Sequence, residues 1–214
     1  MTAIQFFDVR SEYEYDPTDK AEKLYKGKVV VRDPKTIDSI CLHQTAVTFG
    51  VTASMVKAAG GDPALAQFMR AKRVNAHVTA FDEGAFVLAY PLRNFVYHGN
   101  GANTRSIGLE IEGRFNGQPG GEYSEPTDLV IEAACAAVEQ IISEATKEGI
   151  LLRHIIAHRQ YSSSRQGDPG WRLWQKVAVE FAEKKCGLMP IPMLAEGGGR
   201  AIPKIWDGRQ TAKY

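Results

Sequence analysis

Long apolar runs are missing from this 214-residue chain: nowhere do the roughly eighteen consecutive apolar residues of a membrane-spanning helix occur. The opening Met-Thr-Ala-Ile-Gln-Phe-Phe-Asp-Val-Arg lacks both a basic n-region and an apolar h-region, so no export signal is visible and synthesis in the cytoplasm is expected. Charge of one sign is missing too. Twenty-six Lys and Arg stand against 25 Asp and Glu, a net charge of +1, and no polybasic field exists to hold nucleic acid or a membrane surface. Cysteine is scarce: Cys41, Cys135 and Cys186 are odd in number, far apart and in apolar or helical contexts, which describes reduced thiols rather than a disulfide frame. There is no internal repeat and no low-complexity tract. What remains, at 44% hydrophobic residues, suffices for one full core.

The pattern of apolar residues alternates strands with helices. Residues 27–31 and 37–43 are β-rich runs bounded by Asp33-Pro34 and the turn-like Thr48-Phe49-Gly50. Helices are predicted from Thr52 to Ala59 and from Asp62 to Lys72, the second with Asp62 as N-cap and Pro63 in the first helical position. Ala76 to Tyr90 predicts a hairpin turning at Asp82-Glu83-Gly84. From Ser106 to Gly113 the chain alternates Ile107, Leu109 and Ile111 against Gly108, Glu110 and Glu112, a half-buried strand with both glutamates on one face. Pro126 to Glu148 carries a helical apolar stripe closed by Gly149, a strand follows over 150–157, and a last helix from Trp171 to Cys186 is stopped by Gly187. Trp171 and Trp174, three apart on that helix, are expected to pack on the sheet. Gly197-Gly198-Gly199 is a flexible joint in this reading, and Ile205 and Trp206 lay the remaining tail along the surface.

His43 closes the run Ile40-Cys41-Leu42, His158 closes Ile155-Ile156-Ala157, and Asp168 follows ten positions later in Gly-Asp-Pro-Gly. Two imidazoles and one carboxylate are a ligand set that holds Zn²⁺ with one position open for water, a combination that suggests hydrolysis. Each alone has an ordinary explanation: a histidine at a strand end bonds to a loop, and Asp, Pro and Gly suit turns. Their weight comes from occurring together.

Four segments carry a family resemblance: Leu42-His43-Gln44-Thr45-Ala46; Ala76-His77-Val78 with Asp82-Glu83-Gly84; Tyr97-His98-Gly99 with Asn103-Thr104-Arg105-Ser106-Ile107-Gly108-Leu109-Glu110; and Ala157-His158 through Asp168-Pro169-Gly170. In this order they resemble the zinc-dependent N-acetylmuramoyl-L-alanine amidases, a group that includes amidase-type phage lysozymes, anhydro-muropeptide amidases and peptidoglycan recognition proteins. The resemblance covers residues 37 to 186, and its most specific pieces are Asn-x-x-Ser-Ile-Gly-x-Glu and His-x₉-Asp-Pro-Gly.

The resemblance implies a single α/β domain over residues 1–187, a central mixed β-sheet flanked by helices, followed by the tail 188–214. It implies His43, His158 and Asp168 as zinc ligands, Glu110 as the base that orients water and passes its proton on, and His98, Asn103 and Arg105 as substrate contacts. Glu112 is expected to be solvated or paired with an arginine. Many members carry a lysine two places before the last ligand; here Gln166 stands there with Arg165 beside it, so either Arg165 stabilises the oxyanion or Glu110 and zinc suffice. Where phage amidases often have tyrosine this chain has Ala76, and His77 is the candidate to compensate, with a structural role as the alternative. The implied reaction is hydrolysis of the amide between N-acetylmuramic acid and L-alanine of peptidoglycan or a muropeptide. A phage endolysin released through a holin is favoured by the compact chain and the insertion between His43 and His77. A cytoplasmic anhydro-muropeptide recycling amidase and a non-catalytic peptidoglycan-binding module are the alternatives. Stem-peptide chemistry and oligomeric state are not encoded legibly.

Overall fold

In a computed structural model, residues 3–10, 21–50 and 53–214 are described. Seven strands form one mixed sheet: β1 (Gln5–Asp8), β4 (Ser39–Gln44), β5 (Val78–Ala80), β6 (Ala85–Leu88), β7 (Ser106–Ile111), β8 (His154–Ala157) and β9 (Met189–Pro190), in the spatial order β1-β6-β5-β7-β4-β8-β9. Only β5 and β6 pair antiparallel, as the predicted hairpin; every other neighbouring pair is parallel. Gly84 closes that hairpin at φ +85°, a conformation glycine adopts without steric cost. A separate ribbon, β2 (Leu24–Tyr25) with β3 (Lys28–Val29), takes up part of the predicted strand at 27–31.

Alternation along the strands divides the sheet into two faces. Ile40 and Leu42 of β4, Val78 and Ala80 of β5, Ile107, Leu109 and Ile111 of β7, and Ile155 and Ala157 of β8 enter the main core. There they meet α3 (Asp128–Lys147), whose stripe Val130, Ala134, Val138, Ile141 and Ala145 is buried, and the last helix. Thr127 caps α3, its side chain accepting from Val130 N, and Gly149 ends it at φ +71°. The last helix begins as α4 (Trp171–Leu173), continues as a π-wound segment (Trp174–Glu183) and ends in α5 (Lys184–Cys186). Trp174 lies fully buried in the core, whereas Trp171 sits at its edge with its indole N–H donating to Glu125 at 3.0 Å.

On the opposite face, α2 (Pro63–Ala71) covers the β1-β6 end through Phe68 and Ala71, which pack with Val87, Phe81 and Tyr90. Asp62 caps α2 as expected. The preceding α1 (Ala53–Ala58) matches the predicted helix, whose Thr52 lies outside the described residues. The face above β7, β4 and β8 is left to loops, and Ser39, Cys41, His43, Gly108, Glu110, Ile156 and His158 fall on it by alternation.

The segment after Gly187 departs from the expectation of a surface tail. Met189–Pro190 adds an edge strand, a place where proline's missing N–H is tolerated. Ile202 and Trp206 are fully buried in the main core, and the Trp206 indole donates to Gly117 O at 2.5 Å. The glycine run is no loose joint: Gly199 lies directly against the Gln160 backbone, where any Cβ would collide, and Glu196 N donates to Gln160 O at 2.8 Å. Trp206→Ala is therefore expected to cost about 3–5 kcal/mol of unfolding free energy, read as a lower urea midpoint. An unchanged midpoint would mean that this segment is undocked in solution.

Candidate functional site

Register assembles the site. Parallel pairing sets His43 directly opposite Glu110 across β4 and β7, while Leu42 pairs with Ala157, the last residue of β8, so that His158 emerges immediately after the strand. The loop after β8 returns Asp168 to the same point. One donor atom from each of His43, His158 and Asp168 lies within 4.8 Å of the others. His43 Nδ1 is 2.9 Å from His158 Nδ1, which is 3.1 Å from Asp168 Oδ2. His43 is wholly buried; His158 and Asp168 reach the groove above.

Neighbouring groups fix how the donors present themselves. The second carboxylate oxygen of Asp168 accepts Gln44 N–H at 2.9 Å, and the Gln44 side chain donates to Gly167 O at 3.0 Å and accepts from Phe115 N at 2.5 Å. His43 Nε2 is 3.0 Å from His98 Nδ1. His98 Nε2 faces Ser106 O at 3.3 Å and Ser106 Oγ at 3.5 Å, and that hydroxyl spends its own proton on Ala102 O. His98 must therefore carry its proton on Nε2 and accept at Nδ1, so His43 donates from Nε2 and keeps a bare lone pair on Nδ1, aimed at His158 and Asp168. Burial, together with the nearby His158 and His98, pushes the His43 pKa well below its ordinary value; burial also pulls His98 down to about 3. Both imidazoles are neutral, the form that binds a metal.

Glu110 sits beside the triad with Oε1 3.9 Å from His43 Nδ1, its side chain 13% exposed. Among the described residues, its Oε2 is buried without a hydrogen-bond partner. Burial, reinforced by the Asp168 charge and opposed by Arg165, pushes its pKa well above the ordinary carboxylate range. An unpartnered buried carboxylate oxygen is costly. Its position beside three convergent donors suits a group that handles protons on a ligand held there.

The remaining expected residues divide. Arg165 is exposed and borders all three arms of the groove around the triad. Gln166 is turned away, its amide donating to Ser163 O at 3.3 Å. His98 lines the groove, but its Nδ1 serves His43. Asn103 borders one arm, and its Oδ1 accepts from His98 N at 3.0 Å and Gly99 N at 2.6 Å, which makes it the brace of the His98 loop.

Two expectations give way to other roles. Arg105 stands at the start of β7, at the far end from Glu110, and forms a double hydrogen bond with Asp38 at 3.0 and 2.6 Å. His77 is fully buried behind Gly108: its Nδ1 accepts Gly108 N–H at 3.0 Å, and its Nε2 stands 3.0 Å from both Asn94 O and Arg32 Nη2. It is a structural histidine and does not line the groove. Glu112 is paired rather than solvated, its carboxylate accepting from buried Arg70 and from the backbone N–H groups of Phe49, Gly50 and Asp82. Gln44 was not singled out from sequence. Its only signal is that it follows His43 at the strand end.

Residues 33–171 match the family described as N-acetylmuramoyl-L-alanine amidase. No curated protein sequence matches. Among solved structures, the bumblebee recognition protein PGRP-SA aligns at TM-score 0.51 and 18% identity, covering 87% of this chain and 98% of its own. The endolysin N-acetylmuramoyl-L-alanine amidase LysCS from Clostridium intestinale URNW aligns at TM-score 0.50 and 12% identity, over 87% and 98% of the two chains. Peptidoglycan recognition protein-LE, solved in complex with tracheal cytotoxin, aligns at TM-score 0.51 and 15% identity, over 83% and 93%. At these identities the likeness is one of fold.

Burial, with the Arg32 charge adding to it, holds the His77 pKa well below its ordinary value, so below about pH 6.5 the unfolded chain takes up a proton that the folded chain refuses. Stability tied to His77 is therefore lost as pH falls. In chelated protein, the urea-derived stability advantage of wild type over His77→Gln is expected to shrink by about 1.4 kcal/mol per pH unit between pH 6 and 5. A pH-independent difference would contradict a neutral buried imidazole.

Proposed function

The chain belongs to the N-acetylmuramoyl-L-alanine amidase family, and from that premise we propose that it is a zinc-dependent hydrolase of the amide joining N-acetylmuramic acid to the first L-alanine of peptidoglycan. The observation that carries the proposal is the convergence of His43, His158 and Asp168 beside the unpartnered carboxylate oxygen of Glu110. Two imidazoles and one carboxylate fit zinc, and His43 and Asp168 each have an outer partner of the kind that orients such ligands. Zinc held by three protein ligands supplies Lewis acidity, bringing the pKa of water toward 7 and polarising an amide carbonyl.

The chain's own groups then divide the proton work. Glu110 takes a proton from the attacking water as oxygen bonds to the lactyl carbonyl carbon. Its raised proton affinity, due first to burial and then to Asp168, lets it keep that proton until the carbon–nitrogen bond breaks and the L-alanine amine receives it. The products are a muramic acid carboxylate and a free peptide amine. Arg165 faces the charge that develops on the carbonyl oxygen, the task for which Gln166 is wrongly turned.

Wall polymer is the proposed substrate, as for a phage endolysin, because the groove is open along several directions around the triad. A recycling amidase would instead cleave soluble anhydro-muropeptide and spare intact sacculi. A purely binding module is disfavoured by the presence of all three donors and Glu110.

Two sets of variants test this reading. Asp168→Ala is expected to lose zinc and hydrolysis together, and Glu110→Gln to retain zinc while losing about 10²–10⁴ in rate. Metal analysis, with release of peptide amino termini from sacculi before and after chelation, reads both. Normal lysis by both variants would refute the mechanism. Arg165→Ala is expected to lower kcat about tenfold, less than a dry oxyanion donor because the side chain is exposed. Gln166→Ala should stay within about twofold. The reverse ranking in steady-state assays would reassign the two.

A further inference from the structure

The segment after the family-matched region ends against the groove. Lys204 N donates to Ala212 O at 2.8 Å, which folds residues 204–212 back on themselves and delivers Tyr214 beside the triad. The Arg159 guanidinium lies over both the Trp206 ring, at 4.7 Å, and the Tyr214 ring, at 5.5 Å, tying the groove residue to the buried anchor. The Tyr214 hydroxyl rests against Gly117 and Gly167, two positions where a side chain would meet it. Tyr214 is nevertheless 46% exposed, and it lines one of the two arms of the groove that contain Asp168, the other holding Glu110 and His158 as well.

The same arm is lined by Tyr123, 38% exposed, with Arg114 stacked on its ring at 3.8 Å and donating to its hydroxyl at 2.6 Å. Phe115 adds a third ring, and Gln44 and Arg165 supply polar edges. The neighbouring arms differ. One is bordered by Asn100, Asn103, Ser162 and Ser164, the other by Arg73, Asn75 and Thr45, with Tyr97 the aromatic residue common to both. Flat aromatic faces with polar groups at their rims match a pyranose ring, which has apolar C–H faces and a belt of hydroxyl and acetamido groups. An extended acidic peptide has no comparable flat face.

We propose that Tyr214, with Tyr123 in the same arm, forms a sugar-stacking subsite for the muramoyl end of the substrate, which makes residues 204–214 part of the substrate site. The assignment rests on the amidase reading for the identity of the sugar, and the arm beside Asp168 places that ring next to the bond to be cut. Tyr214 is then a specificity residue. It handles no protons and holds no metal.

Two measurements test the proposal separately from the amidase reading. The first compares kcat and KM on a muropeptide with those on the same stem peptide acylated by D-lactate alone, which lacks the sugar ring. Tyr214→Ala is expected to raise KM for the muropeptide about three- to tenfold with kcat nearly unchanged, to leave the lactyl-peptide unaffected, and to be rescued by Tyr214→Phe. An equal loss on both substrates, or no loss on either, would overturn it. The second titrates full-length protein with free N-acetylmuramic acid and follows backbone amide shifts by NMR. Shifts are expected at Gly117, Gly167 and Tyr214 and should vanish in Tyr214→Ala. Their absence in wild type overturns the subsite whether or not the protein hydrolyses walls, and their presence without hydrolysis sinks the amidase reading alone.

Discussion

Register among three parallel strands is the constraint on which this molecule depends. Because side chains alternate along a strand, the pairing of β4 with β7 and β8 sends Ile40, Leu42, Ile107, Leu109, Ile155 and Ala157 into the core and, by the same alternation, His43, Glu110 and His158 to the other face. A slip of one residue in any of these strands would bury a charged or imidazole side chain against α3 and expose its apolar neighbours. The core therefore selects the register, and the register places the site. Stability and chemistry are fixed by one set of hydrogen bonds.

Polar groups behind the triad extend that control to the tautomers. His98 could be mistaken for a metal ligand, since Cys41, His43 and His98 also offer donor atoms close together. The hydrogen-bond directions argue otherwise: Ser106 takes the His98 proton, His98 takes the His43 proton, and only the far nitrogen of His43 is left bare. Burial pushes the Cys41 thiol pKa well above its ordinary value, away from the thiolate that a metal needs. Asp168 is treated likewise by Gln44, which binds one carboxylate oxygen and leaves the other toward His158.

Much of this was legible in the sequence, and the failures share a cause. Alternation and helix caps encode local structure, so β4, β7, the β5-β6 hairpin, α2 and α3 fall where the apolar pattern puts them. Histidines at strand ends declared themselves for the same reason. His77 and Arg105 misled because their partners, Gly108 with Asn94 and Asp38, are chosen by tertiary packing. β1 escaped notice because an edge strand with Phe6 40% exposed carries no alternating burial. The last segment escaped notice because Trp206 finds Gly117 across 89 positions of chain, a contact that no local pattern announces.

The Asn-x-x-Ser-Ile-Gly-x-Glu segment shows how such a motif acquires physical content once folded. Asn103 accepts two backbone N–H groups and bends the loop that carries His98. Ser106 receives the His98 ring proton, and Gly108 leaves the space the His98 ring occupies, since a Cβ there would strike it at 2.5 Å. Ile107 and Leu109, the intervening positions, hold the strand in the core. Glu110 comes last, one pleat beyond the ring. Three of the motif's residues, Asn103, Ser106 and Gly108, thus serve His98, and through His98 they reach His43. The spacing follows from the strand's period of two: acceptor, gap and carboxylate stand in a row on one face, about 7 Å between alternate neighbours. A larger residue at 108 would dislodge His98 and free His43 to turn, which disables the metal pocket without touching a ligand.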